Sequence, residues 1–267
     1  MLHASLVLAL AALLGGAAQG PDSKVPDPQR VEAAVLELES AFKEGKTAED
    51  RIAAIRKGHE VLDARVVRAI GKGLKVKDAG VQAAALEALG RMDHPEALEA
   101  LHGLYKSDKQ RLKEDEKLLP LLFKSIGRHG SEKSVEILSD DLFLQRSFPA
   151  IQARVLSLGN IRSRKSVEAL MEIMTKAGRR QVNDYMNLFR QSLVRLTGTD
   201  QGPDSAMWTR WWQENKTRFE VQKEIGKVPG FAEETWNEYW GIEAREKREK
   251  RKQEPKQGSF RPMTPCL

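Results

Sequence analysis

Four histidines, His59, His94, His102 and His129, are the residues of this chain best suited to proton transfer or metal ligation. A zinc site draws on several such ligands at short, regular spacing, for example two histidines four apart on one helix face with a glutamate between them. None of the four has such a neighbour, and the single cysteine, Cys266, lies next to the C-terminus. Gly71-Lys72-Gly73 lacks the upstream glycine and the following Ser/Thr with which a phosphate loop cradles a nucleotide. No G-x-S-x-G elbow is present. Asp200, Gly202 and Asp204 imitate the start of a calcium loop, but no glutamate closes the shell at the twelfth position. A turn followed by an N-cap at Asp204 or Ser205 accounts for them. No catalytic residue, metal or cofactor is expected, and each histidine reads as a surface or turn residue.

The residue types that remain suit binding. Arg162, Arg164, Lys165, Lys176, Arg179 and Arg180 cluster at what the sequence places as inter-helix connections. They form either a solvated edge or a docking patch for an acidic partner. Trp208, Trp212, Asn215 and Phe219 share one helix face, with Trp211 beside them. That face serves either as a packed end cap or as a tryptophan platform for a ligand. Arg162, Arg164, Lys165, Arg179, Arg180 and Trp211 are the candidate partner-binding residues.

The charge is unevenly spread. The 267 residues carry 44 Lys and Arg against 38 Asp and Glu, a net +6, and residues 245–261 alone hold eight basic and three acidic side chains. The body is therefore close to neutral, which argues against a nucleic-acid groove, because phosphate binding needs a concentrated positive field. The tail suits contact with an anionic membrane or polymer surface, each basic residue contributing about 1 kcal/mol there, or else it is a solubilising end.

Residues 1–20 are uncharged, with an apolar run from Leu6 to Leu14 and small residues after it. The run is too short to span a bilayer, which takes about 20 apolar residues, and reads as a signal peptide cleaved after Ala18. It lacks the usual positive residues ahead of the apolar run. The expectation is an exported protein, periplasmic or extracellular. No cysteine follows the run to carry a lipid, and a lone cysteine forms no internal disulfide. Residues 21–30 are a polar, proline-containing linker.

From Val31 onward the apolar residues keep helical spacing, and no strand alternation competes with it. Val31, Val35, Leu38 and Phe42 make one face, and a capping-box-like Thr47-Ala48-Glu49-Asp50 opens the next helix. The clearest unit is residues 151–178, two amphipathic helices in which Ile151, Val155 and Leu158, then Val167, Leu170, Met171 and Met174, point inward. Gly159 is expected to end the first of these helices in the left-handed conformation. Gly90 and Gly127 should do the same in residues 81–105 and 118–138. A charged connection is expected at residues 106–117, and a single helix carries Val182, Met186, Phe189, Leu193 and Leu196 to a stop at Gly198. Similar two-helix units recurring every 30 to 40 residues or so are the mark of an α-solenoid, because such a unit needs its neighbours to bury its apolar surface.

Residues 88–101 (ALGRMDHPEALEAL) and 157–170 (SLGNIRSRKSVEAL) resemble HEAT-like repeats of the short bacterial type, also found in phycobilin lyase subunits. The resemblance implies an all-α, right-handed α-solenoid over residues 31–196. Residues 196–219 resemble the L-T-G-x-D-x-G loop and W-x-x-W-W helix of exported bacterial HEAT-repeat proteins. This implies a Trp-rich helical cap over residues 197–243, with Phe231, Trp236 and Trp240 folding back on the solenoid, and a basic, largely disordered tail over 244–267. The function implied is a non-catalytic scaffold for a protein partner. The alternatives are a polyanion or nucleic-acid binder acting through residues 162–180 and the tail, and a lyase-like enzyme on the same fold.

Overall fold

The computed structural model describes residues 26–43, 46–144, 147–221 and 230–242. The expected signal segment, the basic tail and Cys266 lie outside these residues. The described elements are all helical: α1 (Pro28–Ala41), α2 (Ala48–Gly58), α3 (Ala64–Gly71), α4 (Ala79–Arg91), α5 (Pro95–Glu114), α6 (Leu118–Arg128), α7 (Val135–Ser139), α8 (Phe148–Asn160), α9 (Arg164–Asn183), α10 (Met186–Thr197), α11 (Ser205–Asn215) and α12 (Gly230–Trp240), with short 3-10 turns between some of them. Polar side chains start most of them by accepting the amide protons that an α-helix leaves unpaired at its N-terminus. Thr47 and Asp50 form a reciprocal capping box, and Asp63, Asp78, Ser163 and Asp204 each accept from the first turn of their helices.

The helices stack in two rows. α2, α4, α6, α8 and α10 pack side by side in that order and form the even row, while α1, α3, α5, α7, α9 and α11 follow one another on the other side. Each unit's inward residues, Val81, Leu89, Leu101, Leu122, Ile126, Val155, Leu158, Val167 and Leu170 among them, are fully buried between the rows. The result is an all-α solenoid of helix pairs, as the repeat pattern implies.

The repeat glycines act differently from the sequence expectation. Gly90, Gly127 and Gly159 lie inside α4, α6 and α8, and the residue with left-handed backbone after α6 is Gly130, at φ 60°. Gly198, at φ 74°, does cap α10 as expected. What the three repeat glycines provide is room. A Cβ on Gly90 would sit 2.8 Å from the Cα of Ser125, one on Gly127 2.9 Å from the Cα of Ser157, and one on Gly159 2.8 Å from the Cα of Ser192. Each glycine therefore admits the serine of the next even-row helix to within backbone contact. The serine hydroxyl then donates to a carbonyl one turn earlier, Ser157 to Phe123 and Ser192 to Val155, both at 2.9 Å. The C-terminal carbonyls of these helices are also served by the neighbouring unit: His129 reaches Leu89 at 3.1 Å and Asn160 reaches Gly127 at 3.0 Å.

Two boundaries also differ. The charged stretch after Tyr105 is not a connection: α5 continues to Glu114, with a kink at Asp108, because Leu112 is fully buried and anchors the extra turns. Val182 belongs to α9, which breaks at Asp184 and Tyr185 before α10 begins. At the C-terminal end, α11 covers α9 and α12 covers α10.

Candidate partner-binding surface

The predicted basic residues separate into two places. Arg162 lies in the turn before α9, and Arg164 and Lys165 form its first turn, held by the Ser163 cap. Arg164 donates to the carboxylate of Glu168 at 2.7 Å, to the Lys216 carbonyl at 2.7 Å and to the Phe219 carbonyl at 3.0 Å. Its guanidinium thereby ties the start of α9 to the chain leaving α11. Lys165 pairs with Glu132 at 2.7 Å, and that hydrogen bond holds its pKa above the ordinary lysine value. Arg162 donates to the Arg195 carbonyl at 3.2 Å. Arg162 and Arg164, together with Glu132, Thr217, Phe219 and Val221, line a shallow cavity of about 490 Å³. Arg179 and Arg180 lie within α9 rather than at a connection, about 20 Å farther along the helix. Trp211 is half-buried, edge-on to Trp208 at 6.0 Å and to Phe219 at 5.9 Å. Trp208 is fully buried, and its indole donates to the Gly202 carbonyl at 2.9 Å.

A second surface emerges once the serine–glycine contacts set the register. Glu87, Lys124, Leu156 and Gln191 occupy equivalent positions on α4, α6, α8 and α10, and so do Arg91, Arg128, Asn160 and Arg195. They form the outer face of the even row. Its exposure falls along the row: Glu87 and Arg91 are exposed, Lys124 and Arg128 are half-buried, and Leu156 and Gln191 are buried. The cover at the far end is α12. Trp236, 2% exposed, lies against the Arg195 guanidinium at 4.1 Å, and the Lys124 ammonium stands 4.5 Å over the Tyr239 ring. Trp240 meets Tyr239 edge-on at 4.9 Å. Such cation–π contacts gain strength from desolvation. Burial, with the like charges of Arg128 and Arg91 behind it, pulls the Lys124 pKa down; burial likewise lowers those of Arg128 and Arg195 and drives that of Tyr239 well above the usual phenol range. The Tyr239 hydroxyl, the Trp240 indole N–H and the Gln191 amide oxygen are buried with no hydrogen-bond partner among the described residues. Beyond α12 the face is open, with a cavity of about 350 Å³ between Arg56, His59, Ala84, Glu87, Ala88 and Arg91. The sequence signal for this surface was the basic residue directly after the repeat glycine, Gly90-Arg91 and Gly127-Arg128.

The odd row has a gap. α7 has 5 residues, whereas α5 and α9 each have 20, and a cavity of about 540 Å³ opens between residues 139–143 and the Ala169, Ile173 and Ala177 side of α9. Lys109 of α5 pairs with Asp140 there, and that hydrogen bond holds the Asp140 carboxyl below its ordinary pKa. Arg154 fills the space beneath. It is 2% exposed, donates to the Asp140 carbonyl at 2.7 Å and the Tyr105 hydroxyl at 3.1 Å, and stacks on Phe123 at 4.3 Å.

The histidines are occupied locally. His94 accepts the Glu96 amide proton as an N-cap, His59 bonds the Arg56 carbonyl and His102 the Ser134 hydroxyl. Among the described residues no group of three His, Cys, Asp or Glu is placed to hold a metal ion. The arrangement offers surfaces, charge and a docked helix. The family model described as HEAT repeats matches residues 35–119. No curated protein matches the chain.

Proposed function

On the premise that this chain is an all-α solenoid of HEAT-like repeats, we propose that it is a non-catalytic, exported scaffold that binds a protein partner through the outer face of its even row. The observation that carries this reading is that the face already holds a helix: α12 lies on it through Trp236 on Arg195 and Tyr239 under Lys124. HEAT repeats are commonly protein-interaction scaffolds. Export rests on residues 1–20, and N-terminal sequencing of the secreted protein should find Gln19 first.

Affinity capture from the exported fraction tests the reading. The wild-type chain retains a protein that the Arg56→Glu/Arg91→Glu chain, of unchanged melting point, does not. Capture of no protein, together with turnover of a substrate, overturns it. Retention of heparin or DNA in place of protein, lost steeply with added salt, assigns the surface to polyanions instead.

A further inference from the structure

We propose that α12 is an intramolecular placeholder: it occupies the partner-binding face of the even row and gives way to a longer partner helix of the same chemistry, aromatic on one side and acidic on the other. This rests on the scaffold reading above and adds what the face recognises.

The charges match. α12, GFAEETWNEYW, has Glu233, Glu234 and Glu238 and no basic residue, and it lies on Lys124, Arg128 and Arg195. Glu233 acts on the Arg195 charge. The spacing of Trp236, Tyr239 and Trp240 puts three aromatic rings on one stripe of a helix.

The fit is incomplete. Among the described residues, the Tyr239 hydroxyl and the Trp240 indole N–H find no acceptor, and the buried amide oxygen of Gln191 on the face finds no donor. Each unpaired group subtracts from the docking of α12. An isolated helix of 11 residues is marginal in water, so this one owes its order to the face it covers. A partner helix that satisfies Gln191, or places no unpaired polar atom there, binds better than α12 does.

The face also extends beyond its occupant. Arg56, His59, Glu87 and Arg91 are left open at its other end, around the cavity of about 350 Å³. A longer acidic helix engages Arg56 and Arg91 first and then replaces α12 ring for ring, so the open end starts the exchange.

The test uses the full chain and a fluorescent peptide of residues 230–242. A Trp236→Ala/Tyr239→Ala/Trp240→Ala chain, with its own α12 released, is expected to bind the peptide at least tenfold more tightly than wild type. Adding Lys124→Glu and Arg195→Glu should abolish that binding. In the wild-type chain, amides of residues 233–240 should exchange with deuterium through an opening that leaves α10 protected. The proposal is overturned if the released chain keeps its core melting transition and fails to bind. It is equally overturned if charge reversal leaves binding intact, or if α12 amides exchange only together with those of α10. A dimer that exchanges α12 between copies would also overturn it, by making a second copy the occupant. Capture that depends on Arg56 and Arg91 can succeed or fail independently of peptide binding, so the scaffold reading and this one are separable.

Discussion

Gly127→Ala adds one methyl group where the serine side chain of the next even-row helix comes closest to a repeat glycine. The new Cβ would lie 2.4 Å from the Cβ and 2.9 Å from the Cα of Ser157, so moving a side chain does not relieve it and α6 and α8 must part. Overpacking of this kind costs about 1–3 kcal/mol, and the backbone contact puts this site near the upper end. Removing a helical glycine returns about 1 kcal/mol, leaving a net loss of about 2 kcal/mol. For a domain of this size that lowers the melting temperature by about 4–8 °C. Gly103 is the control. It lies inside α5, is exposed, and a Cβ there meets nothing within 4 Å. Gly103→Ala should therefore raise the melting temperature by a few degrees, by the same propensity term alone. Thermal unfolding followed by circular dichroism reads both. Ser157→Gly in the Gly127→Ala background removes the Cβ contact and should recover part of the loss, a non-additivity of about 1 kcal/mol. If Gly127→Ala matches Gly103→Ala in sign, the close-approach account is wrong and the repeat glycines serve some other need.

Two further outcomes follow from buried polar groups. Arg154→Ala leaves the Tyr105 hydroxyl and the Asp140 carbonyl without their donor and opens a cavity, for a loss of about 3 kcal/mol in urea denaturation, whereas Arg154→Leu should cost less; an Arg154→Ala chain as stable as wild type refutes this role. Burial holds the His129 imidazole below the ordinary histidine pKa of 6.5; the unfolded chain therefore binds the proton first as pH falls, so the stability from neutral His129 is full above pH 6.5 and drains away below it. His129→Gln should flatten the denaturation midpoint between pH 7 and pH 5, roughly the range in which a histidine titrates, and an unchanged slope there contradicts the assignment.

The inward faces and the caps were legible because both depend on local spacing. Val167, Leu170 and Val155 follow helical periodicity, and Thr47 and Asp204 stand just ahead of such stretches. The glycines were legible as repeat markers and not in their role. A glycine ahead of a turn answers either to a left-handed backbone or to a close neighbour, and only the position of Ser125, Ser157 or Ser192 decides between them. The break between α9 and α10 was hidden because Val182, Met186 and Phe189 keep helical spacing across it, with no proline or glycine at Asp184 or Tyr185. Arg154 occupies the register of Ala85, Leu122 and Phe189, all fully buried. Its burial depends on α7 being short, which no local pattern announces. Of the candidate residues, Arg164 and Lys165 are held by hydrogen bonds to elements remote in sequence, and such long-range pairing has no local signature. The docking of Trp236 was foreseen, while the side chain of Phe231 lies outside the described residues.

Each even-row helix from α4 to α8 accepts its successor at a glycine, and the series stops at α10, where the corresponding residue is Val194. A further copy of the unit, added by gene duplication or by design, would meet a branched side chain where Gly159 offers only hydrogen, and could not settle at the α8–α10 distance. The length of the array is thus written into one position. Extending it requires Val194→Gly as well as new sequence, and any later unit must carry its own glycine two residues beyond the serine it inserts.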